Sequence, residues 1–483
     1  MLTTTRQTLE ERCRNIPFSQ LPKSFQDAVQ IIRALGFRYI WIDSLCIIQD
    51  DTADWELESA KMAGIYMESC LTLAATASID SDGGFFFNRY TRQSGVRTTS
   101  MKTFEFQRTF GGVECTLYVR SALESGHLSI AEAPWLPKFP THTTPLLHRA
   151  WAYQERMLAP RTLHVNTDEM LWECKECTLC ECGSLAWYRE QSNPEHLGHE
   201  KPFAIESIST LKGKVARVMS LDKSFAEVHM AWQQIVKQYT MLKLTKESDR
   251  LPALSGLASF LSQRLQTRYF AGLWEDTLAV DLLWQRARYD TLGLCSRDTQ
   301  SGIPSWSWAS IVRVHASAET IDRYSHIRQS SLYFIKDSRL DFIHADCQVI
   351  GSNPFGQVSG GMITISGACI SVSLYLKAGS PWAQSRSRVF FRRGTGLVTK
   401  PSLEWNTVEL DILWPDEPSE VVDGDILSCV LIGKEEPVMN DRGYAVVLKG
   451  IEADIYRRVG ILRLYPVKME WWDGVMPTTV RVI

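Results

Sequence analysis

The chain is 483 residues and 54.9 kDa, 45% hydrophobic and 22% charged, a composition that can bury more than one core and predicts two or three domains. A net charge of −3 and a pI near 6.4 leave no basic footprint, which argues against a nucleic-acid or anionic-membrane partner. No stretch approaches the length of a membrane span, the N-terminal MLTTTRQTLEERCRN lacks an apolar segment, and the twelve cysteines read as reduced thiols in a cytoplasmic protein.

Residues 1–20 are polar and carry no strong structural signal. From Pro22 the pattern turns helical, with Phe25, Ala28, Val29, Ile32 and Leu35 at i, i+3, i+4, i+7 spacing and Gly36 as the stop. Arg38–Ile42 reads as a buried strand ending at Asp43-Ser44. Gln49 to Asp54 is an acidic loop, with Asp51 or Thr52 able to cap a helix that runs to about Cys70. Leu71–Ser78 is a small-residue strand. This alternation predicts a βαβ arrangement and a largely parallel sheet.

Further on, CTLYVR (Cys115–Arg120) reads as a strand and His148–Leu158 as a helix. RTLHV and MLWEC form a hairpin around Asn166–Glu169. Residues 183–210 are loop-like, and 211–300 are mostly helical, followed by PSWSWAS (Pro304–Ser310). From about 340 onward, Val/Ile-rich runs with Gly and Asp turns predict a β-rich C-terminal region. Sixteen tryptophans are expected to serve as core anchors or interface contacts, and PSWSWAS to pack the helical region against the first domain. The expected domains are 8–175, 176–310 and 311–483.

One acid falls where an apolar side chain is expected. With Trp55 set at zero, Met62 lies at about 340°, Tyr66 at about 20° and Ile65 at about 280° on the second helix, and Glu58 falls among them at about 300°. A carboxylate on a buried stripe is costly unless it is paired or put to use. Either Glu58 makes a buried salt bridge or it serves a site. Asp43 and Ser44, at the carboxyl end of their expected strand, are placed to share that site.

The run LPKSFQDAVQIIRALGFRYIWIDSLCIIQDDTADWELESAKMAGIY resembles the core of the fungal heterokaryon-incompatibility domain, and HRAWAYQERMLAPRTLHVNTDEMLWEC looks like its closing segment. LTKESDRLPALSGLA, YFAGLWEDTL and IPSWSWAS resemble the usual extension beyond it. The resemblance implies a role in allorecognition, in which fusion of genetically different fungal cells triggers death of the mixed cell. It also implies a TIR-like, flavodoxin-like α/β domain. Some TIR domains cleave NAD with one glutamate in a Trp-x-x-x-Glu setting; here Trp55 and Glu58 stand one residue closer. By that analogy Glu58 is the catalytic acid, Asp43, Ser44 and Trp55 line the site, and Arg149, Trp151 and Glu155 complete it from the closing segment. Arg149 reads equally as the salt-bridge partner of a core acid. NAD would be a substrate, with no cofactor required, and a second copy or an incompatibility partner protein the expected companion. Family members usually open with a strand bearing a Tyr–Ala–Leu–Ser–Tyr–x–Trp–Gly-like motif; no such stretch precedes Leu21, so the domain reads as N-terminally shortened. The alternative function is a non-enzymatic module that signals by self-association or partner binding, or an inactive shortened homologue.

The run ECKECTLCEC places Cys174, Cys177, Cys180 and Cys182 within nine residues, which fits a zinc site, a redox pair or unliganded loop thiols. His196 and His199 are further potential ligands. The cluster Asp50, Asp51 and Asp54 reads as solvated loop and cap acids rather than a cation site. No P-loop, GxGxxG, nucleophile elbow or HExxH is present.

Overall fold

The computed structural model describes residues 2–87, 104–111, 113–119, 144–167, 169–183, 185, 211–219, 223–286, 295–313, 327–328, 339–375, 387–393, 396–397, 407–410, 420–422, 424–434, 443–464 and 474–483. They fall into two units, Met1–Arg217 and Val218–Ile483. Both mix helices with sheet, and the second is β-rich toward its end. Among the described residues no helix is long and apolar enough to cross a membrane.

The first unit begins with Thr4 held against the segment after Ile42. Thr4 N–H donates to the Ser44 carbonyl at 2.9 Å, Gln49 N–H donates to the Thr4 carbonyl at 2.8 Å, and the Thr4 hydroxyl donates to the Leu45 carbonyl at 2.7 Å. Helix α1 (Leu9–Arg14) follows, then α2 (Lys23–Ala34). Ala28 and Ile32 face inward on α2, and Ala28 packs with Phe85 and Val165. Gly36, at φ 79°, ends the helix in the left-handed geometry that glycine adopts without strain. The fully buried Asp27 accepts from Phe85 N–H at 2.9 Å and pairs with Lys23, fastening the 78–85 loop to α2.

The strand expected at Arg38–Ile42 does not form. Residues 37–42 belong to no helix or ladder, and Tyr39 is 84% exposed. An apolar β-branched run becomes a strand only when a neighbour takes its backbone groups, and no described segment does so. The chain continues into the single turn α3 (Asp43–Cys46) and then α4 (Thr52–Glu68). Asp51 caps α4 by accepting from Ala53 N–H at 3.1 Å and Asp54 N–H at 3.3 Å.

The sheet of this unit runs β1 (Thr72–Ala74), β4 (Arg161–Val165), β5 (Met170–Cys174), β6 (Thr178–Cys180), with α5 (Ala150–Leu158) leading into β4. A separate hairpin pairs β2 (Phe104–Phe110) with β3 (Val113–Val119). The β1–β4 pair is parallel, with Thr72 opposite Thr162; β4–β5 and β5–β6 are antiparallel. The largely parallel sheet expected from the helix–strand alternation is therefore a mixed one. The hairpin connections after β4 force antiparallel neighbours, because a short turn cannot return a strand in the parallel sense.

Under this sheet lies a polar core. Glu173, with no exposed side-chain area, takes two hydrogen bonds of 2.7 Å from Arg156 and one of 3.2 Å from His164 Nε2; His164 Nδ1 lies 3.0 Å from the Thr76 hydroxyl. Helix α6 (Leu211–Val218) brings the buried Lys212, whose ammonium donates to the Thr162 hydroxyl at 3.1 Å. Burial alone would raise the Glu173 carboxyl, but the charge and hydrogen bonds of Arg156, then the bond from His164, hold it far below the ordinary range. Burial also lowers His164, keeping it neutral, and pushes Lys212 down to about 8.

In the second unit, α7 (Phe225–Tyr239) opens on a capping box between Ser224 and Glu227 and packs on α8 (Pro252–Leu265), followed by the short α9 (Leu278–Asp281). Trp232, Trp274, Trp284, Trp306 and Trp308 are fully buried. The indoles of Trp232 and Trp308 both donate to the Gly272 carbonyl at 3.1 Å, and Trp284 donates to the Trp306 carbonyl at 2.8 Å. Gly272 sits at φ 100°, and a methyl group there would come within 2.6 Å of Trp308 Nε1, so only glycine fits.

The β-rich part is a nine-stranded sheet: β7 (Leu340–Val349), β8 (Val358–Tyr375), β9 (Ser387–Arg393), β10 (Gly396–Leu397), β11 (Thr407–Leu410), β12 (Ile426–Lys434), β13 (Gly443–Glu452), β14 (Ile455–Leu464) and β15 (Pro477–Val482). The ladder runs β8–β12–β13–β14–β11–β9 and closes through β9 pairing back onto β8. Closure removes the edges of these six strands. Alternate residues point inward: Val372 and Leu374, Leu427, Cys429 and Leu431, Ala445 and Val447 form one apolar core. The Arg458 guanidinium, fully buried, lies 3.6 Å from the centroid of the Trp284 ring and donates to the Trp284 carbonyl at 2.6 Å, tying the tryptophan layer to β14.

The polar core of the first unit generates a stability prediction. Glu173→Gln leaves the Arg156 guanidinium enclosed without its counter-charge, so urea denaturation of the full chain should show a loss of about 3–5 kcal/mol. A change below about 1 kcal/mol would mean that Arg156 finds water instead.

Candidate active site

The residues singled out in the sequence do not all meet. Glu58 lies on the flank of α4 with its side chain 21% exposed and pairs at 2.7 Å with Lys61, three residues on. The expected buried stripe is narrower than the helical wheel implies, since only Met62 and Ala63 of α4 are buried. Glu58 is therefore not an acid trapped in a core. Its charge reaches Cys46 instead: partial enclosure, then the charges of Asp43 and Glu58, push that thiol up.

What does converge is Asp43 of α3, Tyr66 of α4, Arg149 just before α5 and Glu155 within it. Helix α5 packs against α4, and Trp151 and Glu155, four residues apart, share one of its faces. On α4, Trp55 and Tyr66 lie about 20° apart around the axis and also share a face. Trp55 meets Trp151 edge-to-face at 6.3 Å, and Trp41 meets the Tyr66 ring edge-to-face at 5.8 Å. The Tyr66 hydroxyl and the Glu155 carboxylate lie close enough to shift each other's titration.

Glu155 retains a sliver of solvent contact, yet protein surrounds it deeply enough that loss of water dominates its titration. Burial raises it first, the Asp43 carboxylate adds to the rise, and the nearby Tyr66 hydroxyl and Arg149 charge only partly offset them; the group titrates at about 7. Burial, together with the acids Glu155 and Asp43, drives the Tyr66 hydroxyl well above its ordinary value, so it stays a proton donor. Asp43 and Arg149 are exposed, and the cluster opens to solvent on their side. Ser44, beside Asp43, donates its N–H to Asp43 Oδ1 at 2.7 Å, while its hydroxyl is buried with no hydrogen-bond partner among the described residues. Such an orphan is filled by water or by a ligand.

An acid balanced near neutrality between a tyrosine donor and a second carboxylate can take or give a proton and can stabilise developing positive charge. Sequence reading placed Glu155 at the margin of the site and left Tyr66 as one more apolar-stripe residue. A tyrosine on such a stripe must hydrogen-bond its hydroxyl, which is the signal that points to a partner.

The four cysteines, weighed as a zinc site, a redox pair or unliganded loop thiols, separate into two pairs. Cys174 and Cys177 face each other at 3.6 Å across the β5–β6 turn, with the Cys177 N–H donating to Cys174 Sγ at 3.4 Å. Cys180 and Cys182 lie at the other end of β6, where Cys180 stands opposite Leu171. Leu171 and Cys174 are three residue steps apart along β5, about 10 Å at the rise of a strand, so no single tetrahedron spans all four. His196 and His199 lie outside the described residues.

The raised Glu155 predicts a pH-dependent penalty. An unfolded glutamate titrates near 4.3, whereas the folded protein holds this proton to about 7. Across that window the unfolded chain binds fewer protons than the native one, so stability falls as pH rises toward 7 and levels off above it. Discounted for residual solvent, Glu155→Gln should be more stable than the parent by about 1–3 kcal/mol at pH 8, with the advantage gone below about pH 4, by denaturant titration at both pH values.

Residues 3–155 match the family model described as Heterokaryon incompatibility protein (HET). Asp43, Ser44, Trp55, Glu58, Tyr66, Arg149, Trp151 and Glu155 all fall inside the matched stretch, whereas the Glu173 core and the cysteine pairs follow it. No curated protein and no solved structure matches the chain. Residues 3–155, about a third of the chain, thus carry the heterokaryon incompatibility domain.

Proposed function

We propose that this chain is a cell-death effector of heterokaryon incompatibility that hydrolyses the nicotinamide–ribose bond of NAD, with Glu155 rather than Glu58 as the acting carboxylate. The observation that carries this reading is Glu155 titrating at about 7 beside the Tyr66 hydroxyl and the Asp43 carboxylate. Nicotinamide leaves a positively charged ring as a neutral molecule, taking the bonding pair, so no acid is needed for departure. Ionised Glu155 stabilises the oxocarbenium-like ribosyl centre and accepts the proton of the water whose oxygen then bonds to it. The products are nicotinamide, ADP-ribose and a proton. Tyr66 orients Glu155, the exposed Asp43 takes ribose hydroxyls, and the Trp55–Trp151 pair supplies aromatic edges for a planar ring. A TIR-like descent of the domain would agree with one glutamate doing this work, and the site would then sit on α5 rather than on α4.

A specific observation favours a second reading, self-association. Leu35, Tyr39 and Ile40 are 51%, 84% and 38% exposed on a stretch that lacks ladder partners among the described residues, a surface that a second copy of the chain could cover.

NAD consumption by the purified full chain distinguishes the readings. Glu155→Gln should reduce turnover by about 100-fold or more and Tyr66→Phe by about 10-fold, while Glu58→Gln stays within about threefold of the parent. The parent rate should climb as pH rises through 7, as Glu155 ionises. A parent chain that leaves NAD intact rejects the enzymatic reading. Light scattering on the parent and on Tyr39→Glu tests the other: a dimer that the substitution dissolves supports it, and a monomeric parent rejects it.

A further inference from the structure

We propose that Glu169, Cys180 and Cys182 form a binding site for one thiophilic divalent cation of the zinc class, separate from the carboxylate cluster and outside the matched domain. The Glu169 carboxylate and the two thiols lie within 4.8 Å of one another, the spread that ligands of a single ion require. Three chain features build the site. The β4–β5 turn, closed by Asn166 N–H donating to the Glu169 carbonyl at 3.0 Å, presents Glu169, which is only 3% exposed. Strand β6 ends at Cys180, and the next turn, closed by Gly183 N–H donating to the Cys180 carbonyl at 3.0 Å with Gly183 at φ 74°, brings Cys182 back beside it. The two sulfurs are 3.2 Å apart.

The surroundings suit thiolates that hold a metal. Leu185 N–H donates to Cys180 Sγ at 3.4 Å, and Cys182 N–H donates to Glu169 Oε2 at 3.2 Å, so backbone donors fix one sulfur and the carboxylate. Glu181, between the two cysteines, accepts the Met170 N–H at 2.7 Å and so pins the Cys-x-Cys turn to the start of β5. In the same β4–β5 turn the Asn166 side-chain oxygen is buried with no hydrogen-bond partner among the described residues. Binding of a divalent cation there releases the thiol protons and leaves three ligand charges around one 2+ ion. Three protein ligands leave a fourth position for water or an outside ligand. Cys174 and Cys177, at the far end of the hairpin, take no part.

Cobalt(II) titration of the reduced, chelator-stripped full chain tests this directly. The parent should bind about one equivalent with a thiolate-to-cobalt charge-transfer band in the near ultraviolet, displaced by zinc. Cys180→Ser and Cys182→Ser should each weaken binding by about 100-fold or more and Glu169→Gln by about 10-fold or more, while Cys174→Ser with Cys177→Ser changes it less than about threefold. A parent without the band overturns the proposal whatever the variants do. A band that survives Cys180→Ser with Cys182→Ser, or that disappears with the Cys174 and Cys177 pair, also overturns it. Circular dichroism of each variant separates loss of a ligand from loss of the fold.

Discussion

The bidentate pair between Arg156 and Glu173 decides what the neighbouring residue can do. Arg156 and Glu155 are consecutive on α5, so their side chains leave the helix about 100° apart. Once Arg156 is drawn onto the buried Glu173 of β5, α5 has one rotation about its own axis, and Glu155 must project toward α4 and α3. The pair thus couples strand β5, outside the matched stretch, to an acid at the last matched residue. Opposite charges at adjacent positions are often just a solvated helix surface; here each has a buried destination.

The two glutamates show how environment sets the behaviour of one side-chain type. Glu173 is more deeply buried, yet stays ionised because a guanidinium, an imidazole and the nearby Lys212 all favour its charge. Glu155 has more solvent contact, yet titrates much higher, because its nearest charge of consequence is another carboxylate and its cation, Arg149, is exposed and screened. Desolvation acts on both, and the sign of the neighbouring charge decides the outcome. A group left in the unfavourable regime carries a stability penalty that function has to justify, which is why Glu155 and not Glu173 is the candidate for chemistry.

The second unit solves a different problem. Long strands rich in Val and Ile invite edge pairing, and here the ladder closes on itself, with apolar side chains filling the inside. Its helical part gathers around one backbone carbonyl. The Gly272 carbonyl receives two indole donors at once, a crowding possible only because the residue has no side chain in their way. Tryptophan burial carries the apolar contribution, and the indole N–H is satisfied in three of the five rings by the hydrogen bonds to Gly272 and Trp306.

Local periodicity and turn chemistry were enough to place helices α2, α4 and α5, the Asp51 cap, the β4–β5 hairpin and the β-rich end, because those signals act over a few residues. The same reading expected a strand at Arg38–Ile42 and a buried acid at Glu58, and both depend on neighbours that periodicity does not supply. A strand needs a partner for its N–H and C=O groups, and a helical wheel gives direction but not what faces it. Residues 13 to 89 apart, such as Glu155 with Tyr66, Thr76 with His164 or Glu169 beside Cys182, were beyond the reach of spacing. The amino-acid sequence by itself determined the domain carried by residues 3–155 and most of the elements. Only the tertiary structure decided which acid is paired, which is perturbed and which cysteines meet, because those properties belong to the distances between elements.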